Sequence, residues 1–170
     1  MKEGLIIVGF PKCGQVSLIQ HLKNVSPDIL VRKDEIIWNK EGVKIFKEKY
    51  GHNDKIKPVI IKRDPIKRIW SSYWYFDLED KPFREKYTYE EYLHIDMYAH
   101  HLGELNPIRC SNYTKWIKNW EELNPIIYDH EELIKIPNFP HLNKTSGIPE
   151  MTQAQYTLTK ELLDAEINKH

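Results

Sequence analysis

The chain has 170 residues, 41% of them hydrophobic, which is enough for one domain with a substantial core. Its 25 Lys and Arg balance 25 Asp and Glu, so bulk charge directs the chain neither to nucleic acid nor to an anionic membrane. No apolar run approaches the roughly 20 residues that span a bilayer, and no signal-peptide pattern opens the sequence, so the expectation is a soluble cytoplasmic protein with one domain over residues 1–170.

In chain order, residues 5–8 read as a strand and 17–24 as a helix, followed by a strand at 29–31 and a helix at 43–50. A strand at 59–62 leads into a helix at 65–75. Helical spacing continues at 89–98 and 112–123, a strand follows at 125–128, and a last helix covers 152–169. The alternation predicts an α/β, three-layer fold with a central parallel sheet covered by helices. In such sheets ligands bind at the C-terminal ends of the strands.

Two motifs fall at those ends. Gly9-Phe10-Pro11-Lys12-Cys13-Gly14-Gln15-Val16-Ser17 follows the first strand and opens the first helix, so its turn aims backbone N–H groups at an anion. Arg63-Asp64-Pro65-Ile66-Lys67-Arg68-Ile69-Trp70-Ser71 follows the third strand, with Asp64 placed to cap the next helix and Pro65 at its first position. Gly9 and Gly14 have the spacing of a nucleoside-triphosphate P-loop. Gln15 and Val16, however, stand where that loop needs Lys and a Mg²⁺-holding hydroxyl. A kinase or ATPase is disfavoured, and no metal is expected.

Pro-Lys-x-Gly at 11–14, paired with Arg-Asp-Pro-x-x-Arg-x-x-Ser at 63–71, resembles the sulfotransferases that use 3′-phosphoadenosine 5′-phosphosulfate (PAPS) and release the 3′,5′-bisphosphate PAP. The likeness runs from about residue 5 to 167. Arg32-Lys33-Asp34-Glu35-Ile36-Ile37-Trp38 is similar to the Lys-Glu segment of the carbohydrate branch. Tyr128-Asp129-His130-Glu131-Glu132-Leu133 is similar to its Tyr-Glu-Asp-Leu turn, and Phe139-Pro140-His141-Leu142-Asn143-Lys144 to its His-x-Asn loop. The resemblance implies a P-loop-like phosphosulfate loop formed by Pro11, Lys12, Cys13, Gly14, Gln15, Val16 and Ser17. It also implies a 3′-phosphate site formed by Arg63 and Ser71; Lys67, Arg68 and Lys144 either assist there or are only solvated side chains. The usual pair of Thr after the loop glycine is replaced by Gln15 and Val16. Gln15 keeps an amide donor, and Ser17 offers a hydroxyl in partial compensation.

Sulfuryl transfer needs charge taken off the departing oxygen and a proton taken off the acceptor. Lys12 is the side-chain cation of the loop. Asp34 lies where the resemblance places the catalytic carboxylate; Glu35 is its alternative, and Lys33 is an assisting cation. In an extended segment one of the two carboxylates faces the site. A histidine base is disfavoured because none follows the second strand. The expected acceptor is carbohydrate-like, and Trp38, Trp70, Tyr73 and Trp74 either stack on it or pack in the core. The rival readings are a non-catalytic PAP or PAPS binder with a degenerate loop and, less favoured, a nucleotide kinase. A phosphatase built on Cys13 would need Arg six positions on, where Ile19 stands. Two cysteines make no disulfide framework, and the eight histidines have no metal-ligand spacing.

Overall fold

The computed structural model describes residues 3–9, 13–34, 36, 39–75, 77–78, 81–96, 98–99, 103–104, 106–142 and 147–169. Pro11, Lys12, Glu35, Trp38 and Lys144, all named above, lie outside them. β1 (Gly4–Val8), α1 (Gln15–Val25), β2 (Leu30–Lys33), α2 (Lys40–Tyr50), β3 (Ile56–Lys62) and α3 (Pro65–Tyr75) alternate as expected. Two antiparallel ribbons follow. The first pairs β4 (Asp77–Leu78) with β5 (Lys81–Pro82), and the second, beyond the short helices α4 (Phe83–Lys86) and α5 (Tyr89–Leu93), pairs β6 (Tyr98–Ala99) with β7 (Gly103–Glu104). The chain ends with α6 (Tyr113–Trp120), β8 (Ile126–Asp129), α7 (His130–Leu133) and α8 (Gln153–Ile167).

β2, β1, β3 and β8 form a four-stranded sheet in that order, parallel throughout, so the molecule is α/β. Ile6, Ile7, Val8, Val59 and Ile61 are 0–1% exposed, the near-continuous apolar character expected of parallel strands. Pro58 is tolerated because it pairs with Ile6 on one side, while pairing with β8 begins only at Val59. Leu18 and Leu22 of α1, Val43 and Phe46 of α2, and Trp116 and Trp120 of α6 complete this core. A second cluster joins Ile66, Ile69 and Tyr73 of α3 to Tyr89, Tyr92 and Leu93 of α5 and Leu163 of α8.

The helix at 89–98 is corrected. α5 has a capping box between Thr88 and Glu91 but ends at Leu93. There the amides of His94 and Ile95 turn back to Glu91 and Tyr92, and Asn106 Nδ2 donates to the Ile95 carbonyl, drawing the chain away. α1 starts two residues earlier than its apolar spacing suggests, because Gly14 in the left-handed region (φ 82°) serves as its N-cap without a side-chain bond. Asn39 caps α2 through Gly42 N, which extends that helix back to Lys40. Among the described residues, no helix is long and apolar enough to cross a membrane.

Candidate functional site

The register brings the four C-terminal strand ends to one edge. Ile7 pairs with Lys33, Val8 with Ile60, and Lys62 with Asp129. Gly9, the Cys13–Gly14 entry to α1, Asp34, Arg63 and His130 therefore border one region, although Gly9 and His130 are 121 positions apart.

At the turn, α1 begins without an acidic residue in its first turn, and Val16 is 43% exposed. The first amides of a helix have no intrahelical partner, so the start of α1 carries the positive end of the helix dipole. The neighbouring side chains turn inward. Gln15 Nε2 donates to the Gly9 carbonyl at 3.2 Å, clasping the two ends of the turn, and Ser17 Oγ donates to the Leu142 carbonyl and accepts from Leu142 N at 3.0 Å. The amide of Gln15 and the hydroxyl of Ser17, expected to face an anion, are instead internal braces. Cys13 is fully buried, in contact with the Tyr113 hydroxyl at 3.6 Å. Burial pushes its thiol pKa up against the opposing pull of Arg68, Tyr113 and Arg63, which removes a phosphatase-type thiolate. Any contribution of Cys13, Gln15 and Ser17 to an anion comes from the backbone.

Asp64 caps α3 through Lys67 N at 2.8 Å, and Pro65 is the first residue of the helix, as the motif predicts. Arg63 leaves the end of β3 close enough to act electrostatically on both Cys13 and His130. Ser71 is buried, 6% exposed, in the second turn of α3. Arg68 is not a surface cation. It is 3% exposed, donates through Nη2 to the Pro107 carbonyl and Ser111 Oγ, and its Nε makes no hydrogen bond with a described residue. Among the described residues no carboxylate lies within ion-pair distance of it. Its charge is felt at Cys13. Trp70, Tyr73 and Trp74 pack on one another, Trp70 and Tyr73 also on Tyr89, and Trp70 Nε1 donates to the Pro149 carbonyl at 2.8 Å. Packing is thus the visible role of these three aromatics.

Asp34 follows β2, its amide bonded to the Ile7 carbonyl at 3.0 Å. Its carboxylate accepts from Lys49 Nζ at 2.6 Å and from the Tyr50 hydroxyl, which itself accepts from Arg32. Partial burial works to raise the Asp34 pKa, but the bonds from Lys49 and Tyr50 outweigh it and hold the carboxyl below its ordinary value. Such a group is a weak proton acceptor. Lys33, the last residue of β2, is exposed beside it.

His130 is the residue that sequence reasoning passed over. It starts α7 directly after β8, and its ring lies against the turn. A Cβ built on Gly14 would come 2.9 Å from His130 Cδ2 and 3.3 Å from Nε2. Its side chain is 17% exposed, with Nδ1 3.7 Å from Glu131 Oε1. Desolvation and then Arg63 push its pKa down, while Glu131 and Asp129 pull in the other direction. The neutral imidazole prevails near pH 7. Lys67 lies 3.8 Å from Glu131, and Lys62 3.9 Å from Asp129. Among the described residues, no group of three or more His, Cys, Asp or Glu could hold a metal ion.

No protein-family model, no curated protein and no solved structure matches this chain.

Proposed function

We propose that the chain is a single-domain, three-layer PAPS-dependent sulfotransferase that transfers a sulfuryl group to a hydroxyl or amine of a carbohydrate-like acceptor. The observation that carries the reading is the meeting of Gly9, the N-terminus of α1 with its Gly14 cap and no side-chain cap bond, and Arg63 at one edge of a parallel sheet. The buried guanidinium of Arg68, without a described carboxylate partner, adds fixed positive charge behind that edge. A charge desolvated in this way favours an anionic ligand nearby.

The donor supplies an activated sulfur–oxygen bond. Backbone amides at Gly14, Gln15 and Val16, with Lys12, hold the 5′ end of the donor and stabilise charge on the oxygen that leaves sulfur. Arg63 binds the 3′-phosphate through its guanidinium fork, and the hydroxyl of Ser71 on α3 is the second donor to it. A carboxylate of the segment after β2 takes the acceptor proton as the acceptor oxygen bonds to sulfur. Because Asp34 is engaged by Lys49 and Tyr50, Glu35 carries more of that role than its position alone suggested. Lys33 assists at the sulfuryl oxygens.

A second reading, a PAP-binding module without catalysis, draws on the inward Gln15 and Ser17 and on the engaged Asp34. Single-turnover transfer from ³⁵S-labelled PAPS to glycan and phenolic acceptors separates the two. Labelled product that is lost in Lys12→Ala supports the enzyme; tight PAP binding with no transfer to any acceptor supports the binder.

A further inference from the structure

The sulfotransferase reading leaves His130 without a role, yet this side chain is the one laid against the proposed anion turn. Its two nitrogens face different surroundings. The Nε2 edge abuts Gly14, the residue from which α1 springs. On the opposite edge, Nδ1 is buried and makes no hydrogen bond with a described residue, and Glu131 Oε1, 3.7 Å away, is buried and lacks one too. That separation is too long for a hydrogen bond but needs to close by less than 1 Å to become one. A neutral ring carries a single N–H, which can serve Nδ1 toward Glu131 or Nε2 toward the turn, so donation from both edges needs a second proton. In the free protein desolvation and Arg63 keep that proton off.

We infer that His130 is a ligand-binding residue of this site and that it takes up a proton from solvent when a phosphate dianion occupies the α1 turn. The inference rests on the anion-binding reading above. A bound dianion places an acceptor before Nε2 and offsets the Arg63 charge, so the doubly protonated ring can donate from Nε2 to the ligand and from Nδ1 to Glu131. No other proton transfer is required. The groups around the ring are Arg63 from the end of β3, Gly14 with Cys13 next to it in sequence, and Asp129 and Glu131 from its own segment, with Lys62 and Lys67 paired to those two carboxylates. Burial raises the thiol pKa of Cys13, so it brings no charge at neutral pH. An opposite charge within about 4–6 Å raises a histidine pKa by one unit or more. Each unit makes phosphate binding about tenfold more favourable below the free pKa than above the bound one.

The test follows the His130 Cε1–H resonance of the full chain through pH 5 to 9, free and saturated with PAP, with the resonance assigned by its loss in His130→Gln. Calorimetry of PAP binding in two buffers of different ionisation enthalpy counts the protons taken up. The expected result is a His130 pKa at least one unit higher in the complex, with net proton uptake near pH 7. In His130→Gln that uptake falls to the part due to the ligand's own phosphates, and in Glu131→Gln the pKa rise shrinks. A His130 pKa unchanged by saturating PAP overturns the inference and leaves the site reading standing. If PAP fails to bind the wild type at all, both fall. Assigning the resonance in the wild type by triple-resonance NMR lets the free and saturated measurements decide the matter even if a variant does not fold.

Discussion

Replacing Gly14 by Ala tests the packing of the turn. Its φ of 82° places a side-chain-bearing residue in the left-handed region, at a cost of roughly 1–2 kcal/mol. The new methyl would sit 2.9 Å from His130 Cδ2 and 3.3 Å from Nε2, and forced repacking around a largely buried ring adds about 1–3 kcal/mol. The expected loss is therefore about 3 kcal/mol, or a fall in Tm of roughly 6–12 °C for a chain of this size. Gly147 provides the control. Its φ is 75°, but a Cβ there meets nothing within 4 Å, so Gly147→Ala should lose only the backbone part, about 1–2 kcal/mol. Urea unfolding of both variants, with Gly14→Ala/His130→Ala to close a double-mutant cycle, measures the difference. Equal losses at the two glycines, or no coupling between positions 14 and 130, would refute the seating of His130 on the turn.

Arg63→Ala should weaken PAP by about 2–4 kcal/mol and 5′-AMP far less, as read by calorimetry, if its guanidinium holds the 3′-phosphate; equal losses would make it structural. Asp34→Asn should lower the urea midpoint by a constant amount above about pH 5, because a depressed folded-state pKa stabilises above the unfolded value and is lost as pH falls through the folded one. That difference should shrink as pH falls below the ordinary aspartate value towards the lower folded one, and a difference that grows on acidification would contradict the Lys49 and Tyr50 contacts. Cys13 and Cys110, both buried and raised in pKa, the latter to about 12, should resist iodoacetamide at pH 8 until the chain is unfolded, as followed by mass spectrometry. Prompt alkylation of native Cys13 would overturn its burial.

The sheet was readable because its strands are runs of Ile and Val, and the start of α3 because Asp64 and Pro65 mark it. The α1 start was harder to place, since a left-handed glycine caps by backbone geometry and leaves no side-chain signature. The end of α5 depends on Asn106 reaching back 11 residues, which periodicity does not register. In the site, motif order placed Gly14 and Arg63 at neighbouring strand ends. It could not foresee that Gln15 and Ser17 would turn to Gly9 and Leu142, or that α2 would supply Lys49 and Tyr50 to Asp34. His130 was passed over because its importance arises from contact with a residue 116 positions earlier. Its own stretch reads as an ordinary strand-to-helix turn.

The most direct test of the central claim is a thermal-shift titration with PAP in EDTA, run beside ATP with Mg²⁺. A ligand that binds the folded chain at about 100 times its Kd adds roughly 2.7 kcal/mol of stability, which raises the Tm of a chain of this size by about 5–10 °C. The account predicts a saturable, metal-independent shift of that order with PAP and none with Mg²⁺–ATP. A magnesium-dependent ATP shift with no response to PAP would contradict it.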